Sequence, residues 1–456
     1  MANPIRFAAK AKGPTAALSR IGAIGRRYGW TPARMHRALA RFADVLRRFD
    51  GRATFPITAV AVARHPDGIA RYQNQEQDQE QRIEFAVHGY THVDYSLFTE
   101  DEQIAHLRRA RQILAQVGIE PTGFRSPYLQ WNSDLYTALE ATGFSYVSNQ
   151  PIAWDVVSVP SFSHSRAIQD AYRLAMAFYD PWFADERLSL PRLVGGLVEI
   201  PVSLPDDEIL IDRLHGGPDL LREVWGYILS HTYRRGELFT LQLHPERIAL
   251  CADGLVSILS QAHSLSPPVW MARLDEIATW WRARAETVVT VEPLDVDDEG
   301  YKGAADDDRT WRIIVKGAPP GLTLSISREG TGSRSLDRAA GVVEKVKGGE
   351  ATLEIHSPRR PCVGLSPDIA SRMVPLLQEI GYVAEISPES DGYACYLHPD
   401  TIHDDSERAL LAQIEETGWP LVRLDRWPAG SGSAIAVTGD IDALTWWDYV
   451  ARLIGR

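Results

Sequence analysis

Two short segments near opposite ends of the chain carry the residue types of a metal-assisted hydrolytic site. His88-Gly-Tyr-Thr-His92 offers two imidazoles, and Asp440-Ile-Asp442 offers two carboxylates. An H-x-x-x-H pair alone holds a borderline-soft divalent cation loosely, and a third ligand plus a base are needed to complete a hydrolytic centre. The Asp-x-Asp can supply both. His88, His92 and Asp442 are therefore the expected ligands, and Zn2+ is the expected cation, because two nitrogens, one carboxylate oxygen and an open position suit it. A plainer reading stands beside this one, in which Asp440 and Asp442 are the N-cap and first-turn acid of a final helix, favoured by the helix dipole.

The elements that must position these residues alternate between helical and extended patterns through about residue 285, the signature of an α/β fold. Met35, Leu39, Phe42, Leu46 and Phe49 recur at helical spacing across 31–49. Residues 52–58 and 84–87 read as short strands, and His88 directly follows the second. Thr99-Glu-Asp-Glu102 is a capping box for a helix running to about Val117, and Asn132-Ser-Asp caps the next. Further on come a strand over 197–202, a helix near 220–233, the strand Leu238-Phe-Thr-Leu-Gln-Leu243 ending at His244, and a helix ending in Trp280 and Trp281.

Composition narrows the function classes. The chain of 456 residues is too long for one ordinary core and suggests two or three domains. A formal net charge of −12 argues against general nucleic-acid binding, which relies on clustered Lys and Arg. The basic stretch 6–27 is a local exception, read as a partly ordered arm rather than a membrane-surface helix, since its apolar residues are mostly Ala and Gly. No run approaches the length of a membrane span, and the first residues lack the apolar region of a secretory signal, so a cytoplasmic protein is expected. Cys251, Cys362 and Cys395 are far apart and expected to be reduced and structural.

Near Val288 the composition changes. Residues 288–360 read as a small β-rich module and 361–428 as a small α+β module, neither with a motif that names a chemistry. The acidic 295–308 segment lacks the ligand spacing of an EF-hand and is read as a solvated linker, and the Gln/Glu-rich run 75–81 is read as a solvated loop or helix face rather than a binding element. After Pro428 a flexible Ala-Gly-Ser-Gly-Ser link leads to Ala434-Ile-Ala-Val437, a buried strand, then to Thr438-Gly-Asp-Ile-Asp442 and a closing helical stretch. A buried strand so near the end must pair with something, and the inference is that it completes the sheet of the first domain. The expected division is thus 1–287 (with 1–28 an arm), 288–360, 361–428 and 429–456.

His88-Gly-Tyr-Thr-His92, Gly123-Phe-Arg-Ser-Pro-Tyr128 and Leu241-Gln-Leu-His244 together resemble, in order, three motifs of the polysaccharide deacetylases, the NodB-type carbohydrate esterase family 4. The resemblance covers roughly 31–284 and 433–456. It departs at the first motif: no carboxylate lies before residue 30, and Asp440-Ile-Asp442 is similar instead to the D-x-D form found in the family's peptidoglycan deacetylase and allantoinase-like branch. The resemblance implies a distorted (β/α)7 barrel of the deacetylase type, circularly permuted so that its first strand lies at the C-terminus, with the two small modules inserted.

In this reading His88, His92 and Asp442 hold the metal, Asp440 is general base for the water it activates, and Arg125 holds that carboxylate ionised and oriented. His244 protonates the leaving amine, and the backbone N–H of Tyr128 helps to stabilise the oxyanion. The resemblance further implies an acid near Pro205-Asp206-Asp207 that orients His244, with Asp207 preferred. The expected activity is removal of an acetyl group from an N-acetylated sugar, or a related amide. Two alternatives are an allantoinase-like or other non-sugar amidohydrolase, and a non-catalytic carbohydrate-binding protein. Taken singly, Arg125 is more often a surface cation and His244 a capping residue before Pro245; their co-occurrence carries the reading. Trp280, Trp281, Trp446 and Trp447 are expected in cores rather than on sugar-stacking surfaces. A strand tethered by a flexible link could also swap into a neighbouring chain, giving a homodimer.

Overall fold

The structure is a computed structural model that describes residues 25, 27–69, 82–294, 309–326, 342–345, 349–402 and 406–453. The segments 75–81 and 295–308, and 6–27 apart from residues 25 and 27, lie outside the described residues.

A curled sheet of mostly parallel strands forms the half-barrel at the centre of the molecule. Its middle is built from Leu238–Leu243, Ser433–Gly439, Ala53–Ile57, Ile83–Val87 and Gly123–Phe124, in that spatial order. Every residue of these five strands is buried. That is why they read as apolar runs rather than alternating ones: a parallel strand is covered on both faces. The terminal strand Ser433–Gly439 pairs in parallel with Leu238–Leu243 from Ala434 to Gly439 and with Ala53–Ile57 through Val437 and Thr438. Val269–Met271 also pairs with it. The last strand in the chain is therefore an interior strand of the sheet.

Helices cover the sheet where the periodicity predicts them. Ala33–Arg47 buries Met35, Leu39, Phe42, Val45 and Leu46, and Phe42 meets Phe55 of the first strand edge-on at 5.1 Å. Glu100–Gln116 starts with the predicted capping box, Thr99 and Glu102 each bonding the other's backbone N–H. Two local expectations need correcting. Asn132 does not cap Asp134–Ala141; its amide joins Gln103 to the Ser96 and Phe98 carbonyls, and the N-cap Ser133 makes no side-chain cap bond. The run 197–202 is not one strand but two, Leu197–Glu199 and Val202–Leu204, which pair with different neighbours. Pro201 lacks the N–H a continuous strand needs.

Residues 288–360 contribute the antiparallel sheet of Val288–Pro293, Thr310–Lys316 and Glu350–His356. In 361–428, Ala384–Ile386 and Tyr393–Leu397 flank Arg360–Leu365 in parallel. Val422–Leu424 instead pairs with Thr323–Ile326, so one sheet draws on both stretches. Trp280 and Trp281 lie in the core between these sheets and the half-barrel, with Trp270 and Trp427 against them. Trp446 is half-buried, but Trp447 is exposed, contrary to the core expectation. The three cysteines are free and buried. The link before the terminal strand, expected to be flexible, is a seated turn: Ser431 N–H donates to the Pro428 carbonyl, Gly432 N–H to that of Pro268, and both Ser431 and Ser433 are buried. Among the described residues no helix is long and apolar enough to cross a membrane.

Candidate metal centre

Parallel strands present their carboxyl ends at one rim, and each candidate residue sits where such a strand ends. His88 follows Ile83–Val87, Arg125 follows Gly123–Phe124, His244 follows Leu238–Leu243, and Asp440 follows Ser433–Gly439. Barrel enzymes build sites at this rim because side chains from several strands converge there without disturbing the sheet. Asp207 lies three residues beyond Val202–Leu204. The ladder continues past the strand ends: His88 N–H donates to the Ile57 carbonyl, Arg125 N–H to Val87, Asp440 N–H to Leu243 and Ile441 N–H to Pro56. Backbone hydrogen bonds on both sides thus hold the Asp-x-Asp segment extended. With a period of two, Asp440 and Asp442 leave one face while Ile441 fills the core from the other.

Two glycines are required here. Gly439 lies against Phe55, whose Cε1 would be 2.5 Å from an added Cβ. Gly89 adopts φ +83°, and an added Cβ would be 2.8 Å from the Thr91 carbonyl oxygen. Both are backbone approaches that a side chain would block.

His88, His92 and Asp442 come together. Asp442 Oδ1 lies 3.4 Å from His88 Nε2 and 3.2 Å from His92 Nε2. In a tetrahedral zinc site with bonds of ~2.0–2.1 Å, the ligand-to-ligand edge is about 3.3–3.4 Å. The observed separations match that edge. His88 Nδ1–H donates to the Arg125 carbonyl at 2.9 Å. A carbonyl only accepts, so Nδ1 carries a proton, which leaves Nε2 as the His88 atom placed to ligate a cation beside Asp442. Asp442 Oδ1 is buried and accepts no hydrogen bond among the described residues. Burial, reinforced by the charge of Arg452, lowers the His92 pKa to about 3. Burial also opposes ionisation of Asp442, but the surrounding cationic groups outweigh it and hold the carboxyl well below its usual range. With His92 neutral above about pH 3, the cation that matters for Asp442 at neutral pH is Arg452. Two imidazoles, with His92 held neutral, and one carboxylate with an unpartnered oxygen fit a divalent cation.

A second group, Asp206, Asp207 and His244, is also close enough to consider. Its geometry is that of a hydrogen bond instead: His244 Nδ1 is 2.6 Å from Asp207 Oδ1, and His244 N–H donates to Asp207 Oδ2 at 2.8 Å. Burial disfavours the imidazolium, but Asp207 overcomes this and raises the His244 pKa to about 10. Asp206 accepts from Ile209 N–H, and burial together with the Asp207 charge pushes its pKa up to about 7. Of the two aspartates, Asp207 is the one that bonds His244.

Asp440 is wedged between two donors, Arg125 NH1 on Oδ1 and Gln242 Nε2 on Oδ2, each at 2.9 Å. Arg125 is wholly buried and also bonds Thr438 Oγ1, the Ser148 carbonyl and Ser148 Oγ. It is an interior ion pair, not the surface cation a lone arginine would suggest. The capping alternative for Asp440 and Asp442 does not hold either. The terminal helix Trp446–Leu453 is capped by Thr445 and Asp448, which bond each other's backbone N–H.

Tyr128 lies beside His92, ring edge to face at 4.4 Å, in a left-handed backbone conformation (φ +62°) that Leu129 continues (φ +53°). Its hydroxyl accepts from Arg452 NH2 at 3.2 Å, and Arg452 NH1 donates to Asp442 Oδ2. Gln242, Thr438 and Arg452 were not expected from the sequence. Gln242 is two residues before His244 on the same strand face, a signal that could have found it. Arg452 lies one turn after Tyr449 on the terminal helix, and nothing in its spacing points to Tyr128.

Residues 29–147 match the family model described as Polysaccharide deacetylase. That segment is of the polysaccharide deacetylase family. It contains His88, His92, Arg125 and Tyr128, whereas His244 and the two aspartates lie beyond it. Among solved structures the chain is similar to a putative polysaccharide deacetylase from Mycobacterium smegmatis, at 22% identity over 54% of this chain and 77% of the other, with a TM-score of 0.41. It is similar to Puue allantoinase at 20% identity over 54% and 72%, TM-score 0.41. A probable polysaccharide deacetylase from Pseudomonas aeruginosa PAO1 is 19% identical over 54% and 73%, also with a TM-score of 0.41. No curated protein matches the chain.

Proposed function

We propose that the protein is a metal-dependent amide hydrolase that removes the acetyl group from an N-acetylated sugar. The observation that carries this reading is the convergence of His88, His92 and Asp442 at the spacing of zinc ligands, beside the Asp440–Arg125 and His244–Asp207 pairs. Deacetylation of an amide needs a cation, a base and an acid, and the deacetylase match over 29–147 supports the acetylated substrate class. The C-terminal strand is read as the family's first strand carried to the chain's end, with 288–360 and 361–428 inserted ahead of it.

A divalent cation, Zn2+ by the chemistry of the ligand set, bound by His88, His92 and Asp442 would polarise the acyl carbonyl and make water acidic enough to react near neutral pH. Asp440 takes the proton from the attacking water; Arg125 and Gln242 fix both its oxygens, so it meets the substrate in one orientation. His244, kept protonated at neutral pH by Asp207, gives its proton to the amine nitrogen as the C–N bond breaks. The Tyr128 backbone N–H stabilises the charge on the former carbonyl oxygen. Acetate and the free amine leave.

Acetate release from N-acetylglucosamine oligomers by zinc-loaded protein tests the reading. Wild type should release acetate, and Asp440→Asn or His244→Ala should lose about 10²–10⁴-fold in kcat. Opening of a ureido ring without acetate release would shift the assignment to a non-sugar amidohydrolase. A loaded protein that does neither would contradict it.

A further inference from the structure

Resting on the metal reading of the site, we infer that Arg452 is a positioning residue that sets the ligand geometry of Asp442 and anchors Tyr128 beside it. The two oxygens of Asp442 have different tasks. Oδ1 faces His88 Nε2 and His92 Nε2, while Oδ2 accepts from Arg452 NH1. With Oδ2 engaged, only Oδ1 is offered to a cation, so the carboxylate is held to one-oxygen ligation. The other arm of the guanidinium donates to the Tyr128 hydroxyl at 3.2 Å. The plane is fixed by two rings, with Arg452 Cζ 5.5 Å from the Tyr128 centroid and 5.2 Å from that of Tyr449. Arginine suits this work because its fork spans two acceptors in a fixed plane, which a lysine ammonium does not.

Tyr128 needs such a restraint. It and Leu129 are consecutive non-glycine residues at positive φ, a conformation that persists only where the surroundings over-determine it. The His92 ring packs on one side of Tyr128 and Arg452 holds its hydroxyl. A single side chain therefore ties a metal ligand on the terminal segment to a loop more than three hundred residues earlier.

The terminal helix has anchors besides Arg452. Thr445 and Asp448 cap it, Asp448 also pairs with Arg64 and His65, Trp446 N–H donates to the Gly29 carbonyl, and Tyr449 stacks on Tyr28 at 5.5 Å. Substitutions at 452 should accordingly leave the fold in place.

Two effects of Arg452 on a bound cation oppose each other, and the experiment separates them. As a charge, it repels a divalent ion, so its removal would tighten binding. As a positioning group, it orders the ligand, so its removal would weaken binding; loss of such supporting partners costs about 10–100-fold in metal affinity. Zinc affinity is measured by chelator competition on the full chain for wild type, Arg452→Met, Arg452→Lys and Tyr128→Phe, with the visible spectrum of the cobalt-substituted forms recorded alongside. The expected result is a loss of about 10–100-fold for Arg452→Met with a changed cobalt spectrum, partial recovery in Arg452→Lys, and a smaller loss in Tyr128→Phe. Wild-type binding that Arg452→Met leaves unchanged or tightens, with the same cobalt spectrum, would overturn this inference alone. A wild-type protein that binds neither ion would overturn the metal reading and this inference with it.

Discussion

The buried ion pair between Arg125 and Asp440 makes a prediction whose size follows from its surroundings. Arg125 is wholly buried and Asp440 2% exposed, so neither charge is relieved by water. Replacing Arg125 by Met, of similar length, leaves the Asp440 carboxylate with Gln242 as its remaining side-chain donor. Replacing Asp440 by Ala leaves the guanidinium with three neutral acceptors, Thr438 Oγ1, the Ser148 carbonyl and Ser148 Oγ. Breaking a buried pair from one side costs about 3–5 kcal/mol, mostly for the stranded charge. The double variant strands neither charge, so it should be less destabilised than the two single effects added together, by about 1–3 kcal/mol. Urea unfolding of chelator-treated protein, followed by tryptophan fluorescence, measures all four members of the cycle without a contribution from metal binding. Additive losses would refute the reasoning, because they would mean that the two charges do not see each other in the folded protein.

Two further outcomes follow from the same rim. The His244 pKa is raised by Asp207 to about 10 from an ordinary 6.5, so the pair's contribution to stability is fully present below about pH 6.5 and fades as the pH rises toward 10. Asp207→Asn should flatten that part of a stability-against-pH profile, and an unchanged slope would count against the pair. Gly439→Ala places a Cβ 2.5 Å from the Phe55 ring and should destabilise by about 1–3 kcal/mol in thermal unfolding; a neutral substitution would mean that Phe55 can retreat.

Much of this arrangement was legible in the sequence because it rests on local rules. Apolar runs marked the central strands, and residues directly after a run, such as His88 and His244, fall at the rim by construction. The Thr99–Glu102 box started its helix where expected. The argument that an apolar strand near the end must pair placed Ser433–Gly439 in the central sheet. What escaped depends on contacts that spacing does not encode. Asn132 has the composition of a cap, yet the carbonyls of Ser96 and Phe98 compete for its amide and win. The 197–202 run reads as one strand until Pro201 is given its full weight. Arg452 looks like an ordinary last-turn cation, and only the packed structure brings it to Asp442 and Tyr128.

The central claim is that His88, His92 and Asp442 form one metal centre across the length of the chain. Elemental analysis of protein purified without added metal, wild type beside His88→Ala and Asp442→Ala, tests it most directly. The account predicts about one zinc-like ion per wild-type chain, with both substitutions abolishing it. Metal retained by Asp442→Ala, or none in wild type even after reconstitution with zinc, would contradict it.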